Sequence, residues 1–277
     1  MAQPIEVSPV TPVIGAEISG IQLSQIDDDD FAAIRRAFLD HSVLFFRDQD
    51  MTLDQHKAFG KRFGALHVHP MARSGKGYKG IDGHPEVLII HADEKTTRTA
   101  GDTWHSDVSC EPEPPMASIL QLHTVPESGG DTLFASTYAA YDALSEPMKQ
   151  LLAGLKAVHD GGPNYRDRSA RQGIEGGEFP NAVHPVIRTH PETGRKAIFV
   201  NENFTSHIEG IPRDESDAIL QFLYRHMAKP QFHCRFRWKP KSVAMWDNRC
   251  TLHHAMWDYF PKTRTGYRVT VEGDRPF

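Results

Sequence analysis

Cysteine is scarce in this chain. Its three residues, Cys110, Cys234 and Cys250, form an odd set with no Cys-X-X-Cys pair. That argues against a disulfide framework and fits free thiols in a reducing cytoplasm. Long apolar runs are missing too: nothing approaches the ~18–20 residues that span a bilayer, so no membrane partner is expected. The opening Met1-Ala2-Gln3-Pro4-Ile5-Glu6-Val7 lacks the basic-then-apolar pattern of an export signal, and a cytoplasmic location is expected. There is no excess of positive charge. Lys and Arg number 31 against 36 Asp and Glu, a formal charge of −5. Phosphate backbones would therefore gain no general attraction, and nucleic acid is not an expected partner. No Gly-X-Ser-X-Gly elbow occurs and no cysteine has a convincing base, which leaves no catalytic nucleophile. No internal repeat or low-complexity linker divides the 277 residues. Residues 1–277 read as a single domain.

What the chain does contain is a series of short β-like runs between a few helices. Residues 7–23 read as a strand pair around Gly15 and Gly20. Asp28-Asp29-Asp30 supplies acid and a cap for a helix whose apolar positions 31, 34, 37 and 38 share one face. Residues 42–47 form a compact β-branched and aromatic run, expected as a buried strand. Thr52-Leu53-Asp54-Gln55 opens a second helix by the capping-box pattern. Further strands are expected at 86–91, 115–122, 182–189, 196–201, 231–238, 242–246 and 266–272. Gly129-Gly130-Asp131-Thr132-Leu133-Phe134 reads as a turn into another. Helices are expected at 138–155, the best in the chain, and at 214–227. Residues 160–177, rich in glycine and charge, read as a mobile loop where a lid would sit. The fold class is mostly β with flanking helices (α+β), a sandwich or jelly roll.

Sixteen histidines make any single one weak evidence, so spacing has to discriminate. In Trp104-His105-Ser106-Asp107-Val108, taken as a strand, alternation puts His105 and Asp107 on one face. Trp104, Ser106 and Val108 then share the other. His253, far along the chain, adds a second imidazole. Two histidines and one carboxylate leave three positions open on a metal, the arrangement that suits non-haem Fe(II) oxygenases. His254 is a rival ligand, because only one of two adjacent side chains in an extended segment can face inward. His253 is preferred because Arg264 follows eleven residues later.

A zinc hydrolase using the same triad is one alternative, and a non-catalytic ligand-binding jelly roll is another. The basic residue separates them. A chelating 2-oxo acid has a distal carboxylate that must be neutralised in a low-dielectric pocket, and arginine's planar fork suits that task. Arg268 falls on the same face of residues 264–270. Two inward guanidiniums with no nearby acidic partner call for anionic ligands. The set points to a dioxygenase that uses Fe(II), 2-oxoglutarate and O2.

These stretches resemble the taurine/2,4-dichlorophenoxyacetate dioxygenase (TauD/TfdA) family over nearly the whole chain. The matching residues are Trp104-His105-Ser106-Asp107, Gly129-Gly130-Asp131-Thr132-Leu133-Phe134, Phe199-Val200-Asn201, Trp246-Asp247-Asn248-Arg249-Cys250-Thr251-Leu252-His253 and the end from Tyr267 to Pro276. The resemblance implies a double-stranded β-helix (jelly roll) with Fe(II) held by His105, Asp107 and His253. It implies 2-oxoglutarate held at its far carboxylate by Arg264 and Thr132. Arg268 and His69 would hold the acidic group of a small anionic substrate, and Phe204 would line its pocket. A homodimer or homotetramer is implied as well. One departure stands out. Taurine-cleaving members carry polar or acidic residues just before the Trp-His-X-Asp motif, where this chain reads Ala100-Gly101-Asp102. Strand alternation places Asp102 away from the substrate, leaving an amine unpartnered. Other sulfonates, alkyl sulfates and aryloxy carboxylates are therefore open as substrates.

Overall fold

The computed structural model describes residues 5–73, 81–97, 101–171 and 179–277. The chain begins with β1 (Glu6–Pro9) and β2 (Ala16–Ser19), then α1 (Asp28–His41), β3 (Val43–Phe46), α2 (Leu53–Lys61), the single turn α3 (Pro70–Arg73) and β4 (Val87–Ala92). Its middle holds β5 (Ala117–Thr124), β6 (Thr132–Ser136), α4 (Thr137–Asp142), α5 (Glu146–Leu152), β7 (Lys156–Asp160), α6 (Gly162–Arg171), β8 (Asn181–Pro185), β9 (Ile187–Thr189), β10 (Lys196–Ile198) and β11 (Thr205–Ile208). Last come α7 (Arg213–Met227), β12 (His233–Phe236), β13 (Val243–Asp247), β14 (Thr251–Ala255) and β15 (Arg264–Val271).

A seven-stranded sheet in the order β1-β2-β3-β13-β5-β15-β4 forms the larger layer, antiparallel except where β2 meets β3. A three-stranded sheet, β12-β6-β14, packs on it. Side chains alternate across each strand, and this sorts the core into layers. From β3, Leu44 and Phe46 join Ile34, Phe38 and Phe59 of α1 and α2, while Val43 and Phe45 turn to the other side. There they meet Phe134 and Phe236 of the smaller sheet. From β13, Met245 goes to the helices and Trp246 goes between the sheets. The far side of the smaller sheet is covered by α4 and α7, through Ala135 and Leu252 against Leu220, Leu223 and Tyr224.

The same alternation aims the polar positions. On β5, Ala117 and Ile119 face the helices, so Ser118 and Leu120 face inward. On β15, Val269 and Val271 face the helices, so Arg264, Gly266 and Arg268 face inward with Ser118. Gly266 sits where β15 shifts register against β5, and a Cβ there would collide with the Gln121 carbonyl.

Four expectations need correction. The first helix is capped by Asp27, not by the acidic run after it: Asp27 accepts from the Asp30 amide at 2.9 Å in a reciprocal capping box. The helix expected at 138–155 is two helices. Ser145 caps the second and Pro147 sits in its first turn, where proline lacks an amide and cannot continue the preceding turn. The segment 160–177, read as a mobile loop, is β-strand at Asp160 and α-helix from Gly162 to Arg171, and residues 172–178 lie outside the described residues. β11 was not foreseen, because Thr205–Ile208 is too short and mixed to signal a strand.

His56 on α2 is buried against β5 and donates from Nε2 to the Ile119 carbonyl at 3.1 Å. Burial, against the opposing help of that hydrogen bond, pushes its pKa down to about 4. The unfolded chain, with histidine near ~6.5, therefore takes up the proton first as pH falls. The stability from keeping His56 neutral is complete above pH ~6.5 and is lost toward pH 4, at ~1.4 kcal/mol per pH unit. The melting temperature should drop over that window, and His56→Gln should flatten the slope. A slope unchanged in the variant would remove His56 as a source of it.

Candidate active site

His105 and His253 are tied together by backbone. Each donates its amide to the other's carbonyl, at 3.0 and 2.8 Å, forming an isolated bridge between residues 101–105 and β14. Their rings follow, with centroids 4.0 Å apart. Asp107 closes the group: its Oδ1 lies 3.9 Å from His105 Nε2, and its Oδ2 lies 4.0 Å from His253 Nε2. All three are buried, and one ligand atom from each lies within 4.8 Å of the others. His254 points away from this group and stacks edge-on against Trp104.

The strand expected at 104–108 is not there. His105 makes a single bridge, a turn follows from Asp107, and Val108 takes φ 50°, a left-handed value unusual for a β-branched residue. That turn brings Asp107 to the histidines. It also places Val108 in the cavity wall, on the side that simple alternation denies it.

The protonation states suit a metal. His105 donates from Nδ1 to the Thr103 carbonyl at 2.8 Å, which keeps the Nε2 lone pair facing inward. Burial, then the proximity of His105, hold His253 well below the ordinary histidine range; burial lowers His105 as well. Both imidazoles are therefore neutral, as a metal requires. Asp107 is held below the carboxylate range: burial opposes its charge, but Arg268 and the two histidines favour it more.

The triad opens on a cavity of about 330 Å³. At one end Arg264, 4% exposed, donates from Nε to the Gly130 carbonyl at 3.0 Å and from NH2 to Thr132 Oγ at 3.4 Å. No carboxylate pairs with it among the described residues, and burial pulls its pKa down. Thr132 Oγ also accepts from Trp238 Nε1 at 2.9 Å. Both its acceptor positions are then used, and its own O–H is left to donate. Gly130, at φ 70°, has room for no side chain, because a Cβ would press on Arg264 and Tyr259 at 3.2 Å. At the other side stand His69, Phe204 and Arg268, beside Tyr165 and Asn164 of α6. His69 Nδ1 accepts from the Met71 amide at 3.3 Å, which leaves the neutral ring's proton on Nε2. Phe204 packs with Met71, Val108 and Tyr165.

With this geometry in place, the comparisons are decisive. The sequence profile of the taurine catabolism dioxygenase TauD, TfdA family matches residues 6–270. The chain belongs to this family. A Schizosaccharomyces pombe relative, whose name provisionally assigns it as an alpha-ketoglutarate-dependent sulfonate dioxygenase, is 39% identical over 95% of this chain and 68% of its own length. An alpha-ketoglutarate-dependent sulfate ester dioxygenase from Pseudomonas putida is 34% identical over 98% of this chain and 91% of its own. A crystal structure of a taurine dioxygenase from Burkholderia xenovorans superposes with a TM-score of 0.84 at 37% identity, covering 98% of this chain and 92% of that one. As a TauD/TfdA member the chain is an oxidoreductase that uses Fe(II), 2-oxoglutarate and O2. The zinc-hydrolase and sensor alternatives fall away.

Two sequence-level readings of this TauD/TfdA chain change. Arg268 does have an acidic partner, since its NH1 donates to Asp107 Oδ1 at 2.8 Å. Asp102 does line the cavity, because the chain bends at Thr103 and the alternation between Asp102 and His105 is not kept. A carboxylate is thus available to an amine, and taurine stays among the candidate substrates.

A second polar group was missed. Ser118 donates to Asp107 Oδ2 at 2.6 Å, and Asn248 donates to Ser118 at 3.0 Å while accepting the Asp107 amide at 3.4 Å. Inward alternation on β5 was the available signal for Ser118. The motif around Asp247 is structural: Arg249 spans both its oxygens, and His190 spends its Nε2, the atom an ion would need, on Oδ2 at 3.0 Å. Removing the hydroxyl in Ser118→Ala should weaken Mn(II) binding ~10–100-fold in protein that keeps its fold by circular dichroism. An unaltered Mn(II) affinity would show that Ser118 does not orient Asp107.

Proposed function

We propose that this enzyme hydroxylates a small organic anion, a sulfonate or sulfate ester foremost, beside the carbon–heteroatom bond, with 2-oxoglutarate as co-substrate. His105, Asp107 and His253 hold Fe(II); Arg264 and Thr132 hold the distal carboxylate of 2-oxoglutarate; Arg268 and His69 hold the acid group of the substrate; Phe204 packs against its body. The observation that carries this reading is Arg264, a buried cation in the cavity wall that meets a carbonyl, a hydroxyl and the Trp238 ring but no carboxylate among the described residues. Burying such a charge is unfavourable unless a carboxylate joins it. When bound, Fe(II) supplies O2 activation, with 2-oxoglutarate converted to succinate and CO2 and one oxygen atom delivered to the substrate.

The chain's own residues do the rest. Arg264 and the Thr132 hydroxyl fix one end of the co-substrate, so the 2-oxo acid end reaches the triad. The imidazole of His69 and the guanidinium of Arg268 line the opposite wall, where the acid group of the substrate would sit. Val108, Tyr165 and Phe204 present an apolar surface that excludes water. Hydroxylation at the carbon bearing a sulfonate yields a species that collapses to an aldehyde and sulfite. The same carbon in a sulfate ester gives an aldehyde and sulfate, and in an aryloxyalkanoate a phenol and an oxo acid.

The two packed sheets support a double-stranded β-helix in one domain spanning 1–277, assembled as a homodimer or homotetramer. Three buried, unpaired thiols support a cytoplasmic setting, and no helix among the described residues is long and apolar enough to cross a membrane.

A panel of taurine, alkylsulfonates, alkyl sulfates and aryloxyalkanoates, scored by succinate release with and without O2, tests the reading. Sulfo substrates should give O2-dependent succinate, and His105→Ala should abolish it. Arg264→Ala should raise the KM for 2-oxoglutarate by roughly 30-fold or more, since a desolvated charge partner is worth ~2–5 kcal/mol. Succinate release that needs no O2, or an Arg264→Ala enzyme with an ordinary KM, would sink it.

A further inference from the structure

Arg268 belongs to the cavity wall and to the triad at the same time. It lies on β15, 9% exposed, with NH1 on Asp107 Oδ1 at 2.8 Å. Its Nε is buried and has no hydrogen-bond partner. The cavity reaches the same guanidinium from the side where His69 stands, and a second cavity of about 10 Å³, room for one water, adjoins both residues next to His67 and Thr270. Asp107 in turn has both oxygens engaged, one by Arg268 and one by Ser118.

The charges have a consequence. In the chain as it stands, Asp107 balances Arg268. A divalent ion taken up by Asp107 and two neutral imidazoles draws on that same carboxylate. Arg268 is then left buried and facing net positive charge, which is unfavourable in a low-dielectric site. An oxyanion seated on the guanidinium, with an oxygen for the orphaned Nε, offsets that charge.

We propose that Arg268 couples the substrate's acid group to the metal, so that each raises the affinity for the other through the shared Arg268–Asp107 pair. The proposal rests on the preceding reading of the triad as metal ligands and of Arg268 as an anion partner, and it adds how that site is regulated. Linkage makes the factor equal in both directions: the metal prepares the anion site, and the anion secures the metal. Substrate that arrives before the metal would bind weakly, because Asp107 already occupies its partner.

The test is a titration of metal-free protein with Mn(II), read by the electron paramagnetic resonance of the free ion, without 2-oxoglutarate, at matched ionic strength, with and without butanesulfonate. The sulfonate should tighten Mn(II) binding by about 5–100-fold. Arg268→Gln should still bind Mn(II), with that factor reduced to near one, and Arg268→Lys should retain part of it. If the glutamine variant does not fold by circular dichroism, the neutral isostere butanesulfonamide on the native protein decides, because it should not tighten Mn(II). The coupling is overturned if butanesulfonate binds the Mn(II)-loaded native protein yet leaves Mn(II) affinity unchanged. It is also overturned if the factor survives intact in Arg268→Gln, or if butanesulfonamide matches butanesulfonate. Separate outcomes address the earlier reading: native protein that binds no Mn(II) overturns the metal assignment, and Mn(II)-loaded protein that binds no sulfonate overturns the anion assignment.

Discussion

Two backbone hydrogen bonds between His105 and His253 hold the centre together. With the Ala255 amide donating to the Gly101 carbonyl at 2.8 Å, they pair the 101–105 segment with β14, and they fix the spacing of two rings that come from distant parts of the chain. Everything else in the triad is arranged around them. The turn after His105, with Val108 in a left-handed conformation, swings Asp107 under both rings instead of letting the chain run on as a strand. A residue held in so sparsely populated a region persists only where its surroundings over-determine it. Here the surroundings are the Ser106–Asn248 and Asp107–Ser118 hydrogen bonds, at 2.7 and 2.6 Å. The left-handed turn is thus tied down from two sides, by β5 and by the residues between β13 and β14.

The electrostatics follow from the same packing. A dry space between two sheets is a poor place for charge, yet Asp107, Arg264 and Arg268 all lie there. Arg268 and Asp107 neutralise one another, and the imidazoles give up their protons to burial. Arg264 keeps a charge met by dipoles and the Trp238 ring, with no carboxylate beside it among the described residues. The interior is therefore balanced in one half and short of an anion in the other. The cavity's two ends differ in charge: Arg264 has no carboxylate beside it among the described residues, whereas Arg268 has Asp107.

Much of this was legible in the residues. The strands β3, β5, β13 and β15 follow from β-branched and aromatic runs, and Arg264 and Arg268 fall on one face because a strand repeats every two residues. The capping boxes at Asp27 and Thr52 follow from local chemistry, although the first was placed one residue late. What could not be read is of a different kind. A bend at Thr103 separates Asp102 from His105, and a turn that begins at Asp107 ends the extended run there. Alternation arguments fail at such points, because a bend or turn resets the faces on its two sides. The Arg268–Asp107 pair joins two residues far apart in sequence, and no spacing announces it. Ser118 carried a faint signal, as a polar residue at an inward position among Ala117, Ile119 and Leu120. The helix at Gly162–Arg171 was hidden by its glycine, proline and charge, composition that reads as loop when its neighbours are unknown.

That helix bears on specificity. Tyr165 and Asn164 reach the cavity from α6, whereas the triad and both arginines stand on or beside the sheets. Arg264 and Arg268 are carried by β15, paired on both sides, and His253 by β14, paired with β6, whereas this part of the cavity wall is carried by a helix that no sheet pairing holds. Asn164 bonds to the Asn203 carbonyl, and Tyr165 packs with Met71, Val108 and Phe204 while Cys110 reaches its hydroxyl at 3.9 Å. Changes at Asn164 and Tyr165 can therefore reshape the cavity wall without touching His105, Asp107 or His253. The helix is then the part of the cavity wall that can vary in shape, and Arg268 is the part that the sheet itself fixes.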